Sequence, residues 1–172
     1  MTATYADILE SDVFAALRTF ILALVDCEVV RGQVNRVATP KGDFIALNPV
    51  SAVPLETNTH TFGATQETVK RPMQFTIQVD CYGAKAGDRA ATLATLLRDD
   101  YAVQSFAGSC KDITPLYADD AHEMPLVDGE QQFEARWTFN AVLQANPTIT
   151  LSAQTADTLT VGTIDVDRSY PP

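Results

Sequence analysis

The sequence predicts an α+β domain: a mixed, largely antiparallel sheet with two helices packed on one face, followed by an extended C-terminal arm. Three patterns predict it. Apolar residues recur at helical spacing between positions 13 and 25. Met73, Phe75, Ile77, Val79 and Cys81 alternate with Gln74, Thr76, Gln78 and Asp80, the period of a strand with one buried face. Phe133, Ala135, Trp137, Phe139, Ala141 and Leu143 repeat that alternation later in the chain. The chain has 172 residues, 46% of them hydrophobic, enough to bury one sizeable core.

Taken in order, Asp12 is the expected N-cap of a first helix running from near Asp7 or Asp12 to about Val25. Val13, Phe14, Leu17, Phe20, Ile21 and Leu24 form its apolar face, with Arg18 on the flank. Gly32, Asn35, Pro40 and Gly42 give residues 31–42 loop chemistry. Residues 44–47 then read as a short buried strand limited by Pro49. Residues 55–71 are polar and Thr-rich, which suits an extended hairpin projecting from the body, or a mobile loop. Gly83 and Gly87 frame a turn into a second helix. Its apolar face is Ala90, Leu93, Ala94, Leu96, Leu97 and Tyr101, with Arg89, Arg98, Asp99 and Asp100 toward solvent. A strand region follows at 113–117, and Asn146-Pro147 ends the last strong strand. The domain is thus expected to span 1–146. Residues 147–172 carry six threonines, one basic residue (Arg168) and too little apolar mass for a core of their own. Such an arm either adds a strand to this sheet or reaches a neighbouring subunit.

Charge narrows the function classes. Twenty-two acids against twelve bases leave a formal net charge of −10, the wrong sign for a protein that grips phosphate. The longest apolar run, residues 20–25, is far too short to cross a bilayer. The first dozen residues hold Asp7, Glu10 and Asp12 and no base, unlike a secretory leader. Cys27, Cys81 and Cys110 are odd in number and widely spaced, so they read as reduced thiols rather than a disulfide framework or a metal knuckle.

Catalytic signatures are sparse. The turn from Gly83 to Gly87 contains Lys85 but lacks the GK[ST] ending of a phosphate loop. Ser109 follows Gly108 without the second glycine of a nucleophile elbow. Asp119, Asp120, His122 and Glu123 put four potential metal ligands within five residues, so a metal-dependent hydrolase is the alternative from another class. Leu126 stands where a zincin motif needs its second histidine, and the plainer reading is a solvated acidic loop. His60 reads as an exposed surface histidine. Phe133, Trp137 and Phe139 have the spacing of a base-stacking ladder, but no basic groove accompanies them and Arg136 faces the other side; core packing is the reading. No catalytic, cofactor or metal residue is assigned. What stands out is an acidic stretch. Asp112, Asp119, Asp120, Glu123, Asp128, Glu130 and Glu134 fall together with no Lys or Arg among them. Such a stretch suits a surface that meets a basic partner, or one that must not hold DNA passing nearby.

Several strings resemble one family. Gln33-Val34-Asn35-Arg36-Val37 with Pro40-Lys41-Gly42 and the strand after it resembles the opening of tailed-bacteriophage and prophage neck proteins, described as neck or tail terminators. Residues 78–83 (QVDCYG), 98–101 (RDDY), 115–120 (PLYADD) and 129–133 (GEQQF), with Arg136-Trp137, resemble that family in the same order and spacing. The resemblance covers residues 10–150 and implies a tail-terminator-like fold. It also implies a structural subunit of a homo-oligomeric ring, a hexamer, at the virion neck, assembled in the host cytoplasm. Such a ring stops growth of the tail tube, and of the sheath where there is one, and offers the surface to which the DNA-filled head docks; an adjacent head-tail connector or completion ring is the sister reading. The partners implied are other copies of the chain, tube and sheath protein, and neck proteins, with DNA passing through the lumen without specific binding. No catalytic residue and no cofactor come with the resemblance. The seven-acid stretch becomes a candidate for the lumen or the docking face.

Overall fold

The computed structural model describes residues 4–33, 40–110, 112–124, 126–127, 133–153 and 161–162. They form α1 (Glu10–Leu22), β1 (Glu28–Arg31), β2 (Phe44–Pro54), β3 (Thr59–Phe62), β4 (Gln66–Lys70), β5 (Met73–Tyr82), α2 (Ala86–Leu97) and α3 (Asp100–Ser109). Then follow β6 (Ile113–Ala118), β7 (His122–Glu123), β8 (Leu126–Val127), β9 (Phe133–Glu134), β10 (Arg136–Ala145) and β11 (Thr148–Ser152). The main sheet has the order β1-β2-β5-β10-β6, with β7 also on β10. The β1–β2 pair is parallel and every other pair antiparallel. The expected α+β class and largely antiparallel sheet are observed, with three helices among the described residues rather than two.

The core lies between the helices and one face of this sheet. Ile45 and Leu47 on β2, Ile77, Val79 and Cys81 on β5, and Phe139, Ala141 and Leu143 on β10 are alternate residues in register across three strands. Against them pack Val13, Leu17, Phe20 and Ile21 of α1, Ala90, Leu93 and Leu97 of α2, and Ala102 and Phe106 of α3. The aromatic ladder therefore serves packing at the two positions whose side chains are described: Phe139 is fully buried and Trp137 packs against the core. Phe133's side chain lies outside the described residues.

The differences from the sequence reading have physical causes. Asp12 is not the N-cap but the third residue of α1, where its carboxylate accepts the Leu9 amide at 2.7 Å. The helix also stops at Leu22, short of Val25. Strand β1 holds four residues with one fully buried side chain, Val29, too short a run to display alternation. Strand β2 continues through Pro49 to Pro54, because Pro49 sits at a β-bulge past the last β1 partner, Leu47, where no neighbour needs its missing N–H. The second helix is two. The chain breaks at Arg98-Asp99, and Asp99 caps α3 by accepting the Tyr101 amide at 2.9 Å.

Arg89, expected in solvent, is nearly buried and forked between Asp43 (2.7 Å) and Asp26 (3.1 Å). Beside it Gly83, at φ +98°, allows so close an approach that a Cβ there would stand 1.9 Å from the Asp43 carboxylate. Gly87 lets α2 settle on Trp137, whose ring would lie 3.1 Å from a Cβ at that position.

Candidate functional site

On the sheet face away from the helices, the alternate residues are mostly polar, among apolar Phe44, Ala46, Tyr82 and Val142. Asp80, 1% exposed, sits near the C-terminal end of β5. It accepts hydrogen bonds from Asn48 Nδ2 (2.8 Å), Gln78 Nε2 (2.8 Å) and Arg136 through Nη2 (3.0 Å) and Nε (3.2 Å). Arg136 also lies over the Tyr82 ring, which stacks on Phe44 at 4.4 Å. No buried side-chain polar atom among the described residues lacks a partner, so this network organises the sheet.

The turn before α2 is likewise spent internally. Ala84's amide donates to Asp43 Oδ1 at 3.3 Å, so an internal carboxylate occupies the place where a phosphate loop would hold its ligand. The Arg89 guanidinium holds the Asp26 carboxyl below the usual range, and the bond to Asp43 raises Arg89 further. Burial pushes the Cys81 thiol up to about 12 and raises Cys27 as well, which makes both poor nucleophiles.

The four potential metal ligands do not converge. Asp119 accepts from Asn140, through the side-chain Nδ2 at 2.7 Å and the backbone amide, which uses both its oxygens. Asp120 lies in solvent, paired with Arg98 Nη1 at 3.1 Å. His122 and Glu123 are consecutive residues of β7, opposite Thr138 and Trp137, so their side chains leave opposite faces. Among the described residues no three His, Cys, Asp or Glu side chains gather to hold a metal ion.

Among the described residues, part of the acidic stretch lies along the β6 and β7 edge of the main sheet, while Glu134 lies on β9, which pairs with β8. Asp112 is exposed in the turn before β6, Glu123 is exposed on β7, and Glu134 is half-buried on β9. Asp128 and Glu130 lie outside the described residues. The stretch is less uniform than its composition. Asp119 is structural, and Arg98, from the end of α2, partly neutralises Asp120. Leu116 and Tyr117 on β6 and Met124 after β7 are exposed along the same edge.

At one end of the main sheet the chain builds a second sheet, which the sequence shows only as the hairpin half of its two alternatives. Strands β3 and β4 form that hairpin, and β11 adds a third strand in the order β11-β4-β3. The arm therefore contributes a strand within its own chain, to this small sheet rather than the main one. Asp7 clamps β11: its carboxylate accepts the Thr148 amide at 2.5 Å and its own amide donates to the Thr148 carbonyl at 3.0 Å. The register gives the sheet two unlike faces. Thr59, Lys70 and Thr148 share one face with Thr61, Thr68 and Thr150. His60, Val69 and Ile149 share the other with Phe62, Glu67 and Leu151. His60, half-exposed, contacts Glu67 at 2.5 Å. Phe62 is 71% exposed, Leu151 40% and Ile149 36%. An apolar sheet face left this open is a contact surface, not a core.

No helix among the described residues is long and apolar enough to span a membrane. No curated protein matches the chain significantly. A family model for phage neck terminator proteins matches residues 11–169, nearly the whole chain and well into the arm. The chain belongs to the phage neck terminator protein family.

Proposed function

We propose that this protein is a structural, non-enzymatic subunit of a homo-oligomeric ring at the phage neck, which ends tail-tube and sheath assembly and offers the surface for head docking. The family match over residues 11–169 carries this reading. The chain's own features support it. Among the described residues no buried side-chain polar atom lacks a partner, Cys27 and Cys81 are poor nucleophiles, and two open surfaces stand out: a projecting sheet with an open apolar face and an acidic edge. Rings arise when two different patches of one chain meet head to tail and the rotation closes. An acidic edge turned to the lumen would repel DNA phosphate and let the genome pass without pausing.

Polymerising tube protein provides the test. Added protein should stop tube growth at a fixed length and leave a cap at one end, and chelator or Asp119→Asn should not restore growth. Tubes that lengthen unchanged in its presence would remove the terminator role.

A further inference from the structure

The small sheet continues the main one. Strands β5 and β10 pair from Tyr82 with Arg136 to Met73 with Ala145, and β4 and β11 go on in the same register, from Lys70 with Thr148 to Gln66 with Ser152. Residues 66–82 and 136–152 are thus one antiparallel ribbon, and the orders β2-β5-β10 and β3-β4-β11 match across it. A row of prolines divides it: Pro54, Pro72 and Pro147 stand one on each strand path, where it leaves one sheet for the other.

At this row the ladder thins. The Leu55 amide donates to the Pro72 carbonyl at 3.0 Å, and the Arg71 amide to the Pro147 carbonyl at 3.1 Å. Neither proline has an N–H, so neither bond can be returned, and each pair keeps one hydrogen bond where a full pair has two. The β2–β3 path uses residues 55–58 for the crossing where β4–β5 uses only Arg71 and Pro72, which gives that path slack. Among the described residues, none from β3, β4 or β11 joins the hydrophobic core. What ties the small sheet back to the body is Asp7. The Pro147 carbonyl points at the β4 path, so the backbone groups of Thr148, one residue on, point away from it. There Asp7 takes them up, its carboxylate accepting the Thr148 amide and its amide donating to the Thr148 carbonyl. Asp7 belongs to the body, because Ile8 beside it packs against the core and α1 begins at Glu10.

We infer that the row of Pro54, Pro72 and Pro147 is a hinge line, about which β3-β4-β11 swings as one unit against the main sheet, and that Asp7 is the latch holding it in the position seen. The fixed proline φ, and the extended backbone it imposes on the residue before it, keep the strands extended through the break, so the unit turns without losing register. The open face with Phe62 and Leu151 turns with it. The hinge belongs to the single chain and does not rest on the ring reading.

Spin labels attached through a keto amino acid at positions 61 and 91, both exposed, read the swing as a distance from the small sheet to α2. Full-length chains carrying both labels are diluted into unlabelled protein, so that only distances within one chain are seen. Wild type should give one narrow distribution. Asp7→Ala should widen it by about twofold or more, since hinge motion is then untied. Asp7→Asn should leave it narrow, because the side-chain oxygen still accepts the Thr148 amide. Pro72→Val with Pro147→Val, added to Asp7→Ala, should narrow it again by supplying both missing donors, and each alone in part. Amides shared between β4 and β11 should exchange hydrogen in Asp7→Ala at the wild-type rate, because the unit swings intact. A broad wild-type distribution, an unchanged width in Asp7→Ala, or Asp7→Asn as wide as Asp7→Ala overturns the latch. Widening that no valine narrows overturns the hinge. Widening with faster exchange in β4 and β11 means that the strands fray instead, which overturns it as well. Failure to form rings or to cap tubes moves none of these readouts and counts against the ring reading alone.

Discussion

Asp80 and Arg136 show how a single pair of residues can hold a sheet face in register. Four donor atoms converge on a carboxylate that is 1% exposed, so removing either partner leaves the other uncompensated. Arg136→Ala is expected to lower stability by about 3 kcal/mol in urea unfolding, the scale for breaking a buried ion pair. Gly83→Ala should destabilise as well, since it places a methyl group against Asp43 at a left-handed φ. Cys81 gives a pH prediction. Its thiol is raised from 9.0 to about 12 by burial, so the folded state holds a proton that the unfolded state releases. The resulting stability is fully present below pH 9 and is lost as pH rises toward 12. Native protein at pH 8 should therefore leave Cys81 unlabelled by iodoacetamide, which mass spectrometry reads directly; rapid labelling there would mean that the core opens. Burial of Cys81 was legible from strand alternation, whereas the Asp80–Arg136 pair and the Asp43 partner of the Gly83 turn were not. Arg89 looked like a solvent residue because its partners Asp26 and Asp43 are distant in sequence and only the fold brings them near.

Elements were legible where one face is buried and the run is long. Strands β5 and β10 announce themselves by alternation, and α1 by its apolar stripe. Short or two-sided elements did not. Strand β1 buries one side chain fully, the second half of β2 is exposed on both faces, and the α2–α3 break lies inside one continuous apolar pattern. The small sheet had only a weak signal, because its apolar face is not buried within the chain and its Thr-rich face resembles a loop. That openness has a dynamic consequence. Amides of β3, β4 and β11 should exchange hydrogen much faster than those of β5 and β10 in isolated protein, and slow down by an order of magnitude or more on assembly. Exchange unchanged by assembly would show that the sheet stays uncovered.

The net charge of −10 argues against a phosphate-gripping protein, and the structure sharpens its meaning. Asp119 is bonded to Asn140 and Asp120 shares Arg98, so fewer acids of the 112–134 stretch are free than its composition suggests. Asp112 and Glu123, both exposed, flank an edge that also carries exposed Leu116, Tyr117 and Met124, a composition suited to a partner surface as well as to a DNA-repelling wall. The family could be read from ordered short strings, whereas the contact surfaces could not, because they depend on which strands end up at an edge. The central claim is that the chain works as a ring on the tail tube. Electron microscopy of the purified protein, alone and mixed with tube, tests it most directly: the account predicts closed rings seated on one tube end, and compact monomers that ignore the tube would contradict it.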